Sequence, residues 1–126
     1  MSDDPTLKSL GAAVERLDEV LSLPMDPIVR DSGIKRFDLC FELSRAVIQR
    51  FLCDRGLDCR SPRDCFREAF SYGLLTEEDV WVLMVQDRNL SVHTYNEELA
   101  NQLYARLPRY LPAFRQLWGE LHLSGK

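Results

Sequence analysis

DPIVRDSGIKRFDLCFELSRAVIQRFLCDRG, residues 26–56, decides the fold. Asp26 is a good N-cap, and Pro27 stands at the first helical position, where its missing N–H costs nothing. Ile34, Phe37, Phe41, Ile48 and Leu52 recur at helical spacing on one face, with Leu43 and Val47 alongside. Nothing interrupts the pattern before Gly56, a natural helix stop. The run predicts one helix over residues 27–55, about 40 Å long at 1.5 Å per residue. A helix of that length is the main post of a bundle.

The flanking chain supplies the rest of such a bundle. Leu7, Leu10, Val14, Leu17 and Leu21 form one apolar stripe of a helix over about 5–22, ended near Pro24. That stripe could also serve as a dimer seam. Ser61-Pro62 opens a shorter helix to residue 72, with Asp64 three residues on in the manner of a capping box, and Tyr72-Gly73 closes it. Thr76 and Asp79 repeat the start signal for a fourth helix over 77–94. Asn96, followed by Glu97 and Glu98, caps a fifth over 97–122, kinked near 108–112 by Pro108 and Pro112. No segment alternates as a strand does. The fold class predicted is all-α: an antiparallel up-down bundle of four to five helices, in one domain spanning residues 1–126.

Composition narrows the function classes. With 45% apolar residues the chain can bury a core without metal or disulfide. No stretch approaches the roughly 18–20 apolar residues that cross a bilayer, and the N-terminus lacks the basic start and apolar run of a secretory signal. A cytoplasmic protein without membrane contact is expected. Cys40, Cys53, Cys59 and Cys65 contain no C-x-x-C pair, and only His93 and His122 could join them. The expectation is therefore no metal site, and reduced thiols packed as small apolar groups in helices. A net charge of −4 argues against unspecific nucleic-acid binding. Bases nevertheless outnumber acids between residues 30 and 73, where Arg30, Lys35, Arg36, Arg60, Arg63 and Arg67 could form a local basic groove. Trp81, Trp118 and the phenylalanines are read as core or dimer contacts rather than base-stacking platforms.

One polar cluster stands at the end of an otherwise apolar helix: Arg88, Asn89, His93 and Tyr95, beside Asp87. On a continuous α-helix Asn89 and His93 share a face, whereas Arg88 and His93 lie about 140° apart. They converge only through Arg88's length, fraying of the helix, or a two-fold interface. Histidine exchanges a proton near neutral pH, and arginine holds phosphate while staying charged. Together they suit RNA cleavage without metal, a base activating the ribose 2′-OH while arginine steadies charge growing on phosphorus. The plainer reading is a helix C-terminus with His93 at the negative dipole end and Arg88 in a salt bridge to a glutamate.

The run Arg88-x-x-x-x-His93-x-Tyr95 resembles the R-x-x-x-x-H-x-Y signature of HEPN-domain proteins. More narrowly, it is similar to the HepT toxins, or nucleotidyltransferase substrate-binding proteins. The likeness covers roughly residues 30–115 through four ordered blocks: RDSGIKRFDLCFEL from Arg30, SPRDCFREAF from Ser61, DRNLSVHTY from Asp87 and YLPAF from Tyr110. After Glu42-Leu43 the family often continues Ala-Trp-Lys, whereas this chain reads Ser44-Arg45-Ala46.

The resemblance implies a HEPN-like helical homodimer whose Arg–His motifs meet near the two-fold axis. It implies metal-independent endoribonuclease activity with Arg88 and His93 catalytic, Asn89 supporting, and no cofactor. It also implies a minimal nucleotidyltransferase as antitoxin in a type VII-like toxin–antitoxin pair, transferring AMP to Tyr95 and so neutralising the toxin. The alternative is a non-catalytic partner and substrate of that nucleotidyltransferase.

Overall fold

The computed structural model describes residues 4–124, and among them every regular element is helical. Six α-helices follow in order: α1 Pro5–Leu21, α2 Pro27–Asp54, α3 Pro62–Tyr72, α4 Glu78–Leu90, α5 Glu97–Arg106 and α6 Leu111–Ser124. Short 3-10 turns at Ser91–His93 and Leu107–Tyr110 join α4 to α5 and α5 to α6. The architecture is the all-helical bundle that the apolar periodicity predicts. α2 is its post and packs against each of the other five α-helices.

Four of the six helix starts follow the capping chemistry. Asp4, Asp26, Ser61 and Asn96 each accept a backbone N–H of the following first turn. Asp64 does not complete a reciprocal box with Ser61, because its carboxylate accepts the N–H of Arg60 instead. Nor does the Thr76/Asp79 signal open α4, which has Glu77 at its N-cap and no side-chain cap bond. Gly56 (φ 77°) and Gly73 (φ 93°) take left-handed conformations where α2 and α3 end.

Two predicted helices are shorter than their apolar stripes suggest. α4 stops at Leu90 instead of residue 94 and tightens into a 3-10 turn. The fifth helix is divided rather than kinked: Pro108 lies inside the 3-10 turn and Pro112 opens α6, so neither missing N–H falls within an α-helical ladder.

The core runs through the middle of the bundle. Phe37 stacks on Tyr110 with ring centroids 5.4 Å apart, and Trp81 meets Phe66 and Phe114 at 4.9 and 5.8 Å. Leu7, Leu10, Val14 and Leu17 are buried in the same cluster, so the α1 stripe is consumed within the chain and is not free as a dimer seam. Two close approaches depend on glycine. A Cβ on Gly33 would lie 2.6 Å from the Tyr104 ring of α5, and one on Gly11 would lie 2.8 Å from Trp118 of α6. Trp118 in turn donates to the Leu7 carbonyl at 3.2 Å, and His122 stacks on its ring.

The cysteines correct the sequence expectation in part. Cys59 and Cys65 form a disulfide, joining the α2–α3 connection to the first turn of α3. Cys59 lies in that connection rather than in a helix, so the chain can double back on itself. Cys40 does behave as a buried apolar group, its thiol pushed up to about 12 by burial. Among the described residues no cluster of three histidine, cysteine or acidic side chains could hold a metal ion, and no helix is long and apolar enough to cross a membrane.

Candidate functional site

The segment from Asp87 to Asn96 spans the last turn of α4, the 3-10 turn and the bend into α5. Asp87 anchors it. Its buried carboxylate accepts three bonds from Arg106, two from Nε and one from Nη2, at 2.8–3.2 Å, and one from the Tyr110 hydroxyl. Burial and the adjacent carboxylate push the Tyr110 phenol well above its ordinary range, so it remains a donor. This triad clamps the end of α4 to the α5–α6 corner.

The next residue points the other way. Arg88 reaches α2, with Nε 3.4 Å from Glu42 Oε1 and 3.7 Å from Asp38 Oδ1. Its Nη1 donates to Ser91 Oγ at 3.2 Å, while Ser91 Oγ donates to the Arg88 carbonyl at 2.7 Å. Arg88 Nε and Asp38 Oδ1 are both buried, yet neither makes a hydrogen bond among the described residues. The pairing is therefore one of charge rather than of directional bonds. Burial pushes the Asp38 carboxyl up from its ordinary value, opposed by Ser91 and Arg88. The predicted salt bridge of Arg88 to a glutamate is present, and Asp38 and Ser91 extend it.

Asp38, Glu42 and Ser91 were not legible as site residues. The two carboxylates lie some 50 positions from Arg88 on a helix whose apolar face alone stood out. Their one sequence signal is the four-residue spacing that puts both on one side of α2.

His93 is exposed at the end of the 3-10 turn and makes no side-chain hydrogen bond among the described residues. Its ring faces Tyr95 nearly edge-on, with centroids 6.0 Å apart. Tyr95 projects from the bend and is 83% exposed. The Asn96 N–H donates to the His93 carbonyl at 3.1 Å, and its side chain caps α5, so the bend carrying Tyr95 is closed on both sides. Asn89 is exposed and makes no side-chain hydrogen bond among the described residues. Because α4 ends at Leu90, the α-helical spacing that set Asn89 and His93 on one face does not continue to His93.

Within one chain, then, the arginine is turned to α2 while the histidine and tyrosine face outward together. The segment can offer a proton-exchanging imidazole, a free phenol and, one turn away, a guanidinium already balanced by carboxylates.

The basic groove suggested by the sequence is divided. Arg30 is buried and tied to Asp31, Glu97 and Asn101, bracing α2 against α5. Lys35 and Arg36 line an open groove on α2 together with Asp31, Asp38, Leu39 and Glu42. Arg60, Arg63 and Arg67 lie apart on the α3 side. At the departure from the family pattern, Ser44 is buried and Arg45 pairs with Glu42 at 3.6 Å.

A family profile described as nucleotidyltransferase substrate binding protein like matches residues 5–122. The chain is 29% identical over 128 aligned positions to a Haemophilus influenzae protein named probable ribonuclease HepT, covering 88% of each. A crystal structure from Thermus thermophilus superposes with a TM-score of 0.84 at 38% identity, covering 89% of this chain and 98% of that one. A Haemophilus influenzae structure, described as revealing the fold of a substrate binding domain of a nucleotidyltransferase, superposes with a TM-score of 0.81. Its identity is 24%, over 91% of this chain and 98% of that one, and the likeness is one of fold.

Proposed function

The chain belongs to the nucleotidyltransferase substrate binding protein-like family, and from that membership we propose that it is a metal-independent endoribonuclease toxin, silenced when a nucleotidyltransferase adenylylates Tyr95. The observation that carries the reading is the joint presentation of His93 and Tyr95, their rings 6.0 Å apart, one helical turn beyond a carboxylate-held Arg88.

RNA brings its own nucleophile. The ribose 2′-oxygen attacks the adjacent phosphorus as its proton passes to a base, and the bond from phosphorus to the 5′-oxygen breaks. That oxygen takes up a proton as it leaves, and a 2′,3′-cyclic phosphate remains. His93 is the group in this segment suited to exchange those protons near neutral pH. Arg88 meets the charge that develops on the phosphoryl oxygens. Because Arg88 and His93 face different ways in one chain, the site is composite, with two copies bringing their segments together as a homodimer. Exposed Leu39 and Val92 favour this. Each is the chain neighbour of a residue in the Arg88 pairing (Asp38 and Ser91), and each is more than half exposed.

Tyr95 supplies the off-switch. Its oxygen attacks the α-phosphorus of ATP, the phenol proton is lost and pyrophosphate leaves. The product adds bulk and a negative charge beside His93. Toxin and nucleotidyltransferase antitoxin work together in the cytoplasm.

Incubation of the purified chain with RNA in EDTA tests the nuclease. The reading predicts fragments ending in cyclic phosphate, lost in His93→Ala; undamaged RNA, or cleavage that survives that substitution, rejects it. A second reading, a non-catalytic partner of the nucleotidyltransferase, is favoured by the balance of Arg88 against Asp38 and Glu42. Intact mass after incubation with the enzyme and ATP tests the modification common to both: no AMP-sized gain, or a gain that persists in Tyr95→Phe, rejects Tyr95 as acceptor.

A further inference from the structure

Most arginines in the chain are engaged. Ion pairs or hydrogen bonds occupy Arg16, Arg30, Arg36, Arg45, Arg50, Arg55, Arg88, Arg106 and Arg115. Among the described residues Arg60, Arg63, Arg67 and Arg109 make no side-chain hydrogen bond or ion pair, although all four are exposed. Two of these four, Arg63 and Arg67, lie on α3, and Arg60 precedes it in the α2–α3 connection.

Their spacing is informative. Arg63, Arg67 and Phe70 lie at i, i+4 and i+7, and so form one stripe about 10 Å long on α3. Phe70 is 39% exposed, an unusual position for a phenylalanine in a chain that buries the rings of Phe37, Phe41, Phe51, Phe66 and Phe114. Arg63, Phe66 and Arg67 form one wall of a groove whose other wall is Glu78, Val82 and Val85 of α4. Along α4 the groove leads from Glu78 to Val85, and Arg88 and Asn89 follow one turn later. Along α4 the acid of the groove, Glu78, thus stands at the end away from the candidate site.

We propose that the Arg63/Arg67/Phe70 stripe of α3, with Arg60 in the connection before it, binds single-stranded RNA and leads the strand along the α3–α4 groove to the Arg88–His93 segment. Guanidinium groups without internal partners complement phosphates, and an exposed ring on the same stripe gives a base a surface on which to stack. A single strand is specified because stacking on Phe70 needs an unpaired base. In a chain of net charge −4, with Asp58, Asp64 and Glu68 interleaved among these arginines, such contact is local to the Arg63/Arg67/Phe70 stripe. The inference rests on the ribonuclease reading, since it supplies that site with its substrate path.

The test uses the full chain carrying His93→Ala, so that RNA stays intact, and a short fluorescein-labelled single-stranded RNA followed by anisotropy across a salt series. Added Arg63→Ala/Arg67→Ala should lower the slope of log affinity against log salt by about 1.4, the share of two phosphate contacts on a single strand. Arg63→Lys/Arg67→Lys should retain most of the slope, because a point charge still meets phosphate. Phe70→Ala should weaken binding at least about fivefold with the slope unchanged. Arg109→Ala should leave both unchanged.

An unaltered slope and affinity in Arg63→Ala/Arg67→Ala overturns the proposal, as does an equal fall in Arg109→Ala. Loss of nucleotidyltransferase binding with RNA binding intact assigns the face to that protein and also overturns it. Cleavage of the same RNA by the otherwise unaltered chain separates the two claims. Cleavage with an unaltered slope rejects the α3 path and leaves the nuclease standing, whereas neither binding nor cleavage rejects both.

Discussion

Arg88 Nε on α4 lies 3.4 Å from Glu42 Oε1 on α2, and Asp38, one turn earlier on α2, lies within 4 Å of the same nitrogen. The guanidinium is fixed between two helices before any substrate arrives. A fixed guanidinium needs no reorganisation to meet developing charge. Asp38→Ala/Glu42→Ala is therefore expected to lower the RNA cleavage rate at least about tenfold, through loss of position. Circular dichroism should remain helical. An unchanged rate would show that the carboxylates do not orient Arg88.

The Asp38 carboxyl carries a second consequence. Burial raises its folded pKa above the unfolded value, against the opposing pull of Ser91, Arg88 and Lys35. The folded state therefore binds more protons between the two values, and stability falls as pH rises through that window. The contribution is fully present below the unfolded carboxyl pKa and is lost above the folded one. Urea denaturation of the parent and Asp38→Asn at a series of pH values should show the parent gaining on the variant as pH falls. A gain with rising pH would contradict the shift.

Asp87 is expected to be the costliest single polar residue to remove near the site. Asp87→Ala leaves the buried Tyr110 hydroxyl and the Arg106 guanidinium without their acceptor, a loss of about 3 kcal/mol. Tyr110→Phe removes one donor and should cost about 1 kcal/mol. Denaturant midpoints would check both, and equal losses would mean that the cluster is not centred on the carboxylate.

Glycines give an internal contrast. Gly33→Ala drives a methyl into the Tyr104 ring and should destabilise by about 1–3 kcal/mol, a loss relieved when Tyr104→Ala is combined with it. Gly119 is helical with nothing near its Cβ position, so Gly119→Ala should stabilise by about 0.5–1 kcal/mol. Thermal unfolding of the three variants is sufficient, and a neutral Gly33→Ala would remove the close contact of α2 and α5.

Thiol titration of protein prepared without reductant and then denatured should find two reactive groups, Cys40 and Cys53, rising to four after reduction. Closing so short a loop contributes about 2 kcal/mol, which Cys59→Ser/Cys65→Ser should remove. Four thiols without reductant would leave the α2–α3 connection unpaired.

How much of this was legible in the sequence depends on how far apart the interacting residues lie. Asp26-Pro27, Asn96 and the run from Ile34 to Leu52 act over a few residues, and they determine the bundle. The end of α4 at Leu90 was missed because no proline or glycine marks it. There the Ser91 hydroxyl bonds back to the Arg88 carbonyl and the turn tightens. The cluster from Arg88 to Tyr95 could be singled out because its members are contiguous. Its orientation could not, since Asp38 and Glu42 meet Arg88 only once α2 and α4 are packed. The Cys59–Cys65 pair fell in the same gap: its spacing matches no metal motif, and only the path of the α2–α3 connection brings the sulfurs together.

Subunit exchange tests most directly whether two copies share one site. Arg88→Ala and His93→Ala proteins, each inactive alone, would be mixed, unfolded and refolded together, then given RNA in EDTA. A mixed dimer retains one intact Arg88 and one intact His93 on different chains, so the account predicts that cleavage returns in the mixture and disappears when either variant is refolded alone. A mixture as inactive as its parents, beside an unaltered chain that cleaves RNA, would contradict a site shared between two copies.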